Sequence, residues 1–406
     1  MKNRNFKSNF QRIIIDSQSN PHFLGEESEQ NYDQRAALSQ GGKGDIVITT
    51  NPIDPEYIEY WKGLNFEIPV LITAGPYKKE KVLSNLIFEK EDIQKEITAN
   101  LNRKMPRLEF FTPSINEEIL ANHLNLPTYI NFDFAKKMQK KSEFKKLCRE
   151  INIHTLPYVL LNQEIKWKDV IDILGENDKG YIAKHIYGTG GAGLGTIIQI
   201  KSENDFNSLF GSEDYIIEKL VDISMEITLH WEIDFNGKVH FINFFEQLAE
   251  NISFVGTIFP IKISKKLWHV IYHEYDILTK KILELKGLGF MCCDIIIDNN
   301  GDFYWSDLNP RKGAILYVYD TVNRFLESNN INNSYWVRHK QIKSRVKSFS
   351  ELKSILEERL SLKNDGIIIS INPGLIQHGK CDLIALSFIN HEHSLEMLSE
   401  AERLIN

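Results

Sequence analysis

Residues 183–195 read AKHIYGTGGAGLG, and five of the last eight are glycine. Glycine at that density marks a backbone that must bend freely or approach another group closely. GTGGAG, 188–193, formally fits GxGxxG. A dinucleotide fingerprint has a strand before that loop and a helix after it. Here the next residues are TIIQI, β-branched and strand-like. A P-loop requires GK followed by Ser or Thr, and a protein-kinase loop carries its lysine on a later strand, with HRD and DFG beyond. None of these is present, and Lys184 precedes the glycines. The segment therefore reads as a β-hairpin with a glycine tip and Lys184 at its root. Backbone N–H groups at such a tip, with a lysine as point charge, suit phosphate. The plain alternative is a glycine-rich hairpin that holds nothing.

A second constellation follows at 292–314, CCDIIIDNNGDFYWSDLNPRKGA. Two alternating strands flank Asn299-Asn300-Gly301, a strong turn signal. Asp307 and Asn309 stand two apart and share a face, and an antiparallel partner strand can bring Asp294 to them. Two carboxylates and an amide oxygen make a hard oxygen set suited to Mg²⁺ on nucleotide phosphates. Arg311, just beyond, can hold an anion with two hydrogen bonds. Asp298 and Asp302 flank the turn and read as solvated turn residues. The third piece is DYIIEKLVDISMEITLHWEI, 214–233. Its strand ends near Glu218, where Lys219 and Leu220 can offer backbone groups to a base, and Glu226 can accept from ribose hydroxyls.

The chain has 406 residues and a net charge of −7, which argues against a nucleic-acid or anionic-membrane partner. With 42% apolar and 25% charged residues it reads as globular, in two or three domains. Cys148, Cys292, Cys293 and Cys381 form no CxxC pair, so buried free thiols are expected rather than disulfides or zinc. The N-terminus lacks the apolar run of a signal peptide, and no segment approaches a membrane span. A cytoplasmic protein is expected.

Along the chain, residues 1–43 are polar and read as an extension and loop. DIVITT, PVLIT and RLEFFTP read as strands, PEYIEYWKGLNF and INEEILANHLNL as helices, giving a small parallel α/β domain over 44–136. KKMQKKSEFKKLCRE is a basic amphipathic helix whose lysines read mainly as a solvated face. A strand-rich region runs to about 330. Residues 336–363 look helical, DGIIISINPG and GKCDLIALSFI form a strand pair, and HSLEMLSEAERLIN closes as a helix.

Taken in order, these pieces resemble the ATP-grasp superfamily over roughly 137–320. INIHTLP is similar to its "GIPTP" motif and YIAKHIYGTGGAGLG to its "KP…gGkGv" hairpin. YIIEKL is similar to its adenine hinge, and CCDIIID…YWSDLNPR to its "D…E.NPR" metal strands. His185 stands where many members have Pro, Asp307 where Glu is usual, and Asn152 in place of a glycine. The resemblance implies an α/β (α+β) chain with the ATP-grasp fold: a pre-ATP-grasp domain at 44–136, the ATP-grasp domain at 137–330 and a small C-terminal domain at 331–406. It implies ATP and Mg²⁺, with Mn²⁺ as the alternative ion. Lys141 and Lys184, with Gly188, Gly190, Gly191 and Gly193, would meet phosphates. Glu218, Lys219 and Leu220 would face adenine, and Glu226 the ribose. Asp294, Asp307 and Asn309 would hold the metal, and Arg311 would steady an acylphosphate, with Lys184 beside it in catalysis.

The tail 365–389 looks like the small C-terminal domain of pheganomycin-type peptide ligases. The implied chemistry is ATP-dependent joining of a carboxylate to an amine through an acylphosphate, with an amino acid or peptide as substrate in natural-product or peptide biosynthesis. Phosphoryl transfer asks mainly for positioning and charge neutralisation, which fits the want of a Ser/His/Asp or Cys/His set. His154, His230, His240 and His378 read as structural, with His230 also placed to face substrate. FFEQLAENISFVG, 244–256, is expected to line the substrate pocket. The rival readings are a ligase that loads a carrier protein and an ATP-binding scaffold or sensor without catalysis. A homodimer fits the superfamily.

Overall fold

The apolar runs nearest the N-terminus pair in parallel. The computed structural model describes residues 10–16, 31–75, 81–102, 105–162, 164–187, 197–209, 214–250 and 253–406. Strands are numbered in chain order. β1 (Phe10–Ile15), β2 (Ile46–Thr49), β3 (Val70–Thr73) and β4 (Met105–Phe110) form a sheet in the order β3-β2-β1-β4, parallel throughout. Both expected helices are present, Pro55–Gly63 and Ile115–Leu124. The first starts at Asp54, whose carboxylate accepts from Glu56 N, with proline in its first turn. The second starts in a Ser114–Glu117 capping box.

The stretch 1–43, read as a polar extension, supplies β1, a strand at the middle of this sheet. Its polar residues are answered from far along the chain. Gln11 donates to Gly44 O and Asn100 O, and Arg12 pairs with Asp45.

The chain divides into two compact units: Met1–Tyr129, Val255–Pro260 and Arg311–Asn406 form one, Ile130–Phe254 and Ile261–Pro310 the other. The first unit also holds antiparallel strands. Within β11 (Ser253–Phe259), residues 256–259 pair with β14 (Trp336–Lys343), which pairs with β16 (Lys380–Ser387), which pairs with β15 (Gly366–Ile371). Residues 336–363 are therefore not one helical stretch. Their first part is β14, with Val337 and His339 buried two apart, and the helix is confined to Phe349–Leu356. Pairing on both edges overrides the local charge pattern.

The second unit contains two antiparallel arrangements. β5 (Tyr158–Leu160), β6 (Tyr181–His185), β7 (Ile197–Ile200) and β8 (Tyr215–Lys219) lie in the order β5-β8-β6-β7. Val159, Tyr181 and Ile217 pack with Val170 and Leu174 of helix Trp167–Leu174. β9 (Ile223–Ile233), β10 (Val239–Glu250), β12 (Gly289–Asp298) and β13 (Phe303–Asn309) lie in the order β13-β12-β9-β10. Trp231, Ile295 and Trp305 form their core with Phe144 and Leu147 of helix Lys141–Glu150 and with Tyr275 and Leu278 of helix Lys265–Glu284. β12 and β13 are the expected hairpin, with Gly301 at φ 85° in its turn. Asp298 is more than a solvated turn residue: it is buried, and its carboxylate caps the turn by accepting from Asn300 N and Asp302 N. All four cysteines are buried thiols, none of them in a disulfide. No helix among the described residues is long and apolar enough to cross a membrane.

Candidate active site

Antiparallel register delivers Lys184 and Glu218 to one face of a sheet. Ile182 of β6 lies opposite Glu218 of β8, and Lys184, two residues on, points the same way. Ile182 and Lys184 both line a pocket in the second unit. Glu218 is fully buried beneath it. One carboxylate oxygen, Oε2, lies 2.8 Å from Lys184 Nζ, and the other, Oε1, lies 2.5 Å from Lys145 Nζ. Lys145 also donates to Thr155 Oγ1 at 2.7 Å and to Trp305 O at 3.3 Å.

The β12–β13 hairpin sets Asp294 directly opposite Asp307. Gln247 Nε2 donates to Asp294 Oδ1 at 2.7 Å, and Asn309 Nδ2 donates to Asp294 Oδ2 at 3.3 Å. Lys141 Nζ donates to Asp307 Oδ2 at 2.6 Å. Asp307 Oδ1 is buried with no hydrogen-bond partner. Glu226, on β9, lines the pocket together with Lys141, Lys184, Asp294 and Asp307. These opposed charges set the ionisation states. Burial works against the Lys184 ammonium, but Glu218 and then Asp307 outweigh it and hold the group above the usual lysine range. Burial likewise works against ionised Glu218, yet Lys145 and Lys184 keep its carboxyl below the usual range. Asp307 follows the same pattern through Lys141 and Lys184. Glu226 goes the other way: burial, then the negative charge of Asp294, pushes its carboxyl up.

Away from the charges the pocket wall is apolar, with Leu156, Ile197, Val221, Phe254 and Ile296. Lys219 and Leu220 also line it. The Leu220 amide donates to Gly180 O, and its carbonyl accepts from Asn177 Nδ2. Each of these backbone groups thus has a partner within the protein. Of the stretch expected to line a substrate pocket, Gln247, Ala249 and Phe254 do line this one. Gly188, Gly190, Gly191 and Gly193 lie outside the described residues. Arg311 belongs to the first unit, where its guanidinium lies 5.0 Å from the Phe111 ring centroid.

Three residues near these charges carry no sequence motif: Lys145, Gln247 and Ser306, the last accepting from Lys184 Nζ at 3.3 Å. Lys145 follows Lys141 by four residues, one helical turn, and sits between Phe144 and Leu147; that interruption of an apolar face was the available signal. Among the described residues no group of three or more His, Cys, Asp or Glu is placed to hold a metal ion. The residues that could offer oxygens to a metal are Asp294 and Asp307, opposite one another on the β12–β13 hairpin, with the amide of Asn309 donating to Asp294. The partnerless Asp307 Oδ1, on the strand position opposite Asp294, is an oxygen that a small hard cation could satisfy. Among the histidines, His154 is held by Glu274 and His240 by Asp234, and buried His230 meets Phe245 edge-on.

No protein-family profile and no curated protein sequence matches the chain. Solved structures do match it in fold. An N5-carboxyaminoimidazole synthetase from Staphylococcus aureus, complexed with ADP, superposes with a TM-score of 0.59 at 14% identity, over 97% of this chain and 96% of that one. A biotin carboxylase from Campylobacter jejuni, complexed with β,γ-ATP, gives 0.63 at 12% identity, over 98% and 91%. The N5-carboxyaminoimidazole synthase of Aspergillus clavatus, in complex with ADP and 5-aminoimidazole ribonucleotide, gives 0.58 at 12%, over 97% and 99%. The similarity runs along nearly the full length of each, and the fold of this chain is the α/β fold of the ATP-grasp enzymes.

Proposed function

We propose that the protein is an ATP-dependent ligase that joins a carboxylate to an amine, releasing ADP and phosphate. One observation carries this reading. Lys141 and Lys184 converge with Asp294, Asp307 and Glu226 on a single pocket whose other wall is apolar, within an ATP-grasp fold. The apolar wall suits a base and the charged end suits phosphates. Fold neighbours crystallised with ADP or an ATP species support a nucleotide there.

In this reading Lys184 and Lys141 bind the phosphates; the glycines of 188–193 are assigned to them on the sequence motif alone. Asp294, Asp307 and Asn309 hold Mg²⁺, which when bound supplies charge neutralisation for the transferred phosphoryl group. Glu226 takes the ribose, and Glu218 acts from beneath by holding Lys184. Arg311, two residues past Asn309, is assigned to the acylphosphate on the sequence motif.

The substrate carboxylate attacks the γ-phosphorus, and the bond to the ADP oxygen breaks. The amine nitrogen then attacks the acyl carbon, the carbon–oxygen bond breaks, phosphate leaves with that oxygen, and the amine proton passes to solvent. An amino acid or peptide is proposed as substrate on the resemblance of residues 365–389 to peptide ligases, which form the antiparallel pair β15–β16.

Isotope transfer tests the mechanism. With amino-acid and peptide pools labelled with ¹⁸O in their carboxylates, released phosphate gains one ¹⁸O and ADP none. Unlabelled phosphate formed in a pool-dependent reaction, or AMP with pyrophosphate, overturns it. Acceptance of the activated acyl group by a purified carrier protein in place of free amine identifies the carrier-loading variant.

A further inference from the structure

Lys145 is a lysine buried to 1% exposure, four residues from Lys141, and the reaction as drawn does not use it. Its ammonium lies 2.5 Å from Glu218 Oε1, and Lys184 Nζ lies 2.8 Å from the other oxygen of the same carboxylate. Glu218 thus bridges two lysines, of which only Lys184 lines the pocket. Burying three charges is costly, and a plain packing role would be served better by an apolar residue. The arrangement makes sense in terms of net charge. A buried Lys–Glu pair alone is neutral. With Lys145 added, the cluster carries one positive charge, and its pocket-lining end is Lys184.

We propose that Lys145 is a positioning residue for the nucleotide site: it neutralises Glu218, so that Glu218 fixes Lys184 in place without cancelling the charge Lys184 offers to a phosphate. This rests on the proposed nucleotide-binding function. Thr155 Oγ1 and Trp305 O accept the remaining Lys145 donors, which locks the ammonium against Glu218 and away from the pocket. In a site of low effective dielectric, one unit of net charge weighs far more than it would in water.

Binding of ADP with Mg²⁺, measured by calorimetry, tests this in four proteins: wild type, Lys145→Met, Glu218→Gln and the double variant Lys145→Met/Glu218→Gln. Lys145→Met keeps length and apolar bulk but leaves Lys184 cancelled by Glu218, so ADP affinity falls about tenfold or more, as expected for a lost charge-assisted contact. Adding Glu218→Gln removes the cancelling charge, and affinity returns to within about threefold of wild type, since the net charge is again one positive. A role in packing alone predicts no such return. Wild-type affinity in Lys145→Met overturns the proposal, and so does a folded double variant that binds as poorly as Lys145→Met. Should Lys145→Met not fold, the double variant decides: near wild-type affinity supports the proposal, and loss of affinity overturns it. Failure of the wild type itself to bind ADP or ATP would instead overturn the ligase reading.

Discussion

Lys141 and Asp307 form a direct ion pair, Nζ to Oδ2 at 2.6 Å, across 166 positions of sequence. One side chain is assigned to phosphate and the other to the metal, so the pair ties helix Lys141–Glu150 to β13 at the point where both groups would meet a nucleotide. Asp307 has its second oxygen, Oδ1, buried and without a hydrogen-bond partner. That oxygen is the group a cation would satisfy.

Replacing Asp307 with Asn keeps the shape and removes the charge. Mg²⁺-dependent ADP binding is expected to fall by about 100-fold or more, at the upper end of the effect of lesser changes around metal ligands. Titration of ADP at fixed Mg²⁺ by calorimetry measures it. Unchanged affinity would remove Asp307 from the metal set.

Asp33, in the first unit, offers a pH test independent of the pocket residues. Burial, partly opposed by hydrogen bonds from Thr50, pushes its carboxyl up to about 7, and its Oδ1 is buried without a partner. An unfolded Asp titrates near ~3.9. Between about pH 4 and about pH 7 the folded state holds a proton here that the unfolded state has released. The stability this group confers is full below the unfolded value and is lost as pH rises to about 7. Asp33→Asn is therefore expected to flatten that part of the profile, and to gain most over wild type at pH 8. Urea denaturation at pH 5 and pH 8 reads the difference.

Leu278 lies fully buried in the core behind β9 and β12. Leu278→Ala should destabilise the protein by about 2–5 kcal/mol through lost transfer energy and a cavity. Denaturant titration reads the loss, and nucleotide affinity at low temperature should be unchanged. This separates damage to the fold from damage to the site.

Gly256 sits where β11 meets β14, and a Cβ there would lie 1.9 Å from His339 O. Strand pairing leaves that carbonyl little room to move, so Gly256→Ala should cost about 3 kcal/mol by overpacking. Gly63 is the contrast: it ends helix Pro55–Gly63 with nothing within 4 Å of an added Cβ. Gly63→Ala should be neutral or stabilising by up to about 1 kcal/mol. Melting curves of the two variants check the pair.

Much of this was legible in the chain. Lys184 before the glycines, the Asp294/Asp307/Asn309 spacing and the Asn-Asn-Gly turn are local signals, and β6, β12 and β13 form where those signals place them. The parallel strands β2 and β3 are short apolar runs and were readable for the same reason. β1 was not, because Gln11 and Arg12 look solvated until Gly44, Asn100 and Asp45 are known to answer them. Strand β14 was hidden by its charges, because the neighbours that override them, β11 and β16, are remote in sequence. Lys145 was lost among neighbouring lysines. Its partner Glu218 is 73 residues away, and no helical pattern reports a salt bridge to another element.

In the proposed function this pocket drives ATP-dependent ligation. The decisive assay is phosphate release from ATP and Mg²⁺, with and without pooled amino acids and peptides, for wild type and Asp307→Ala. Release is expected to depend on the pool and to be lost in the variant. Tight ATP binding with no release from any pool, carrier proteins included, would contradict it and leave a nucleotide-binding module without catalysis.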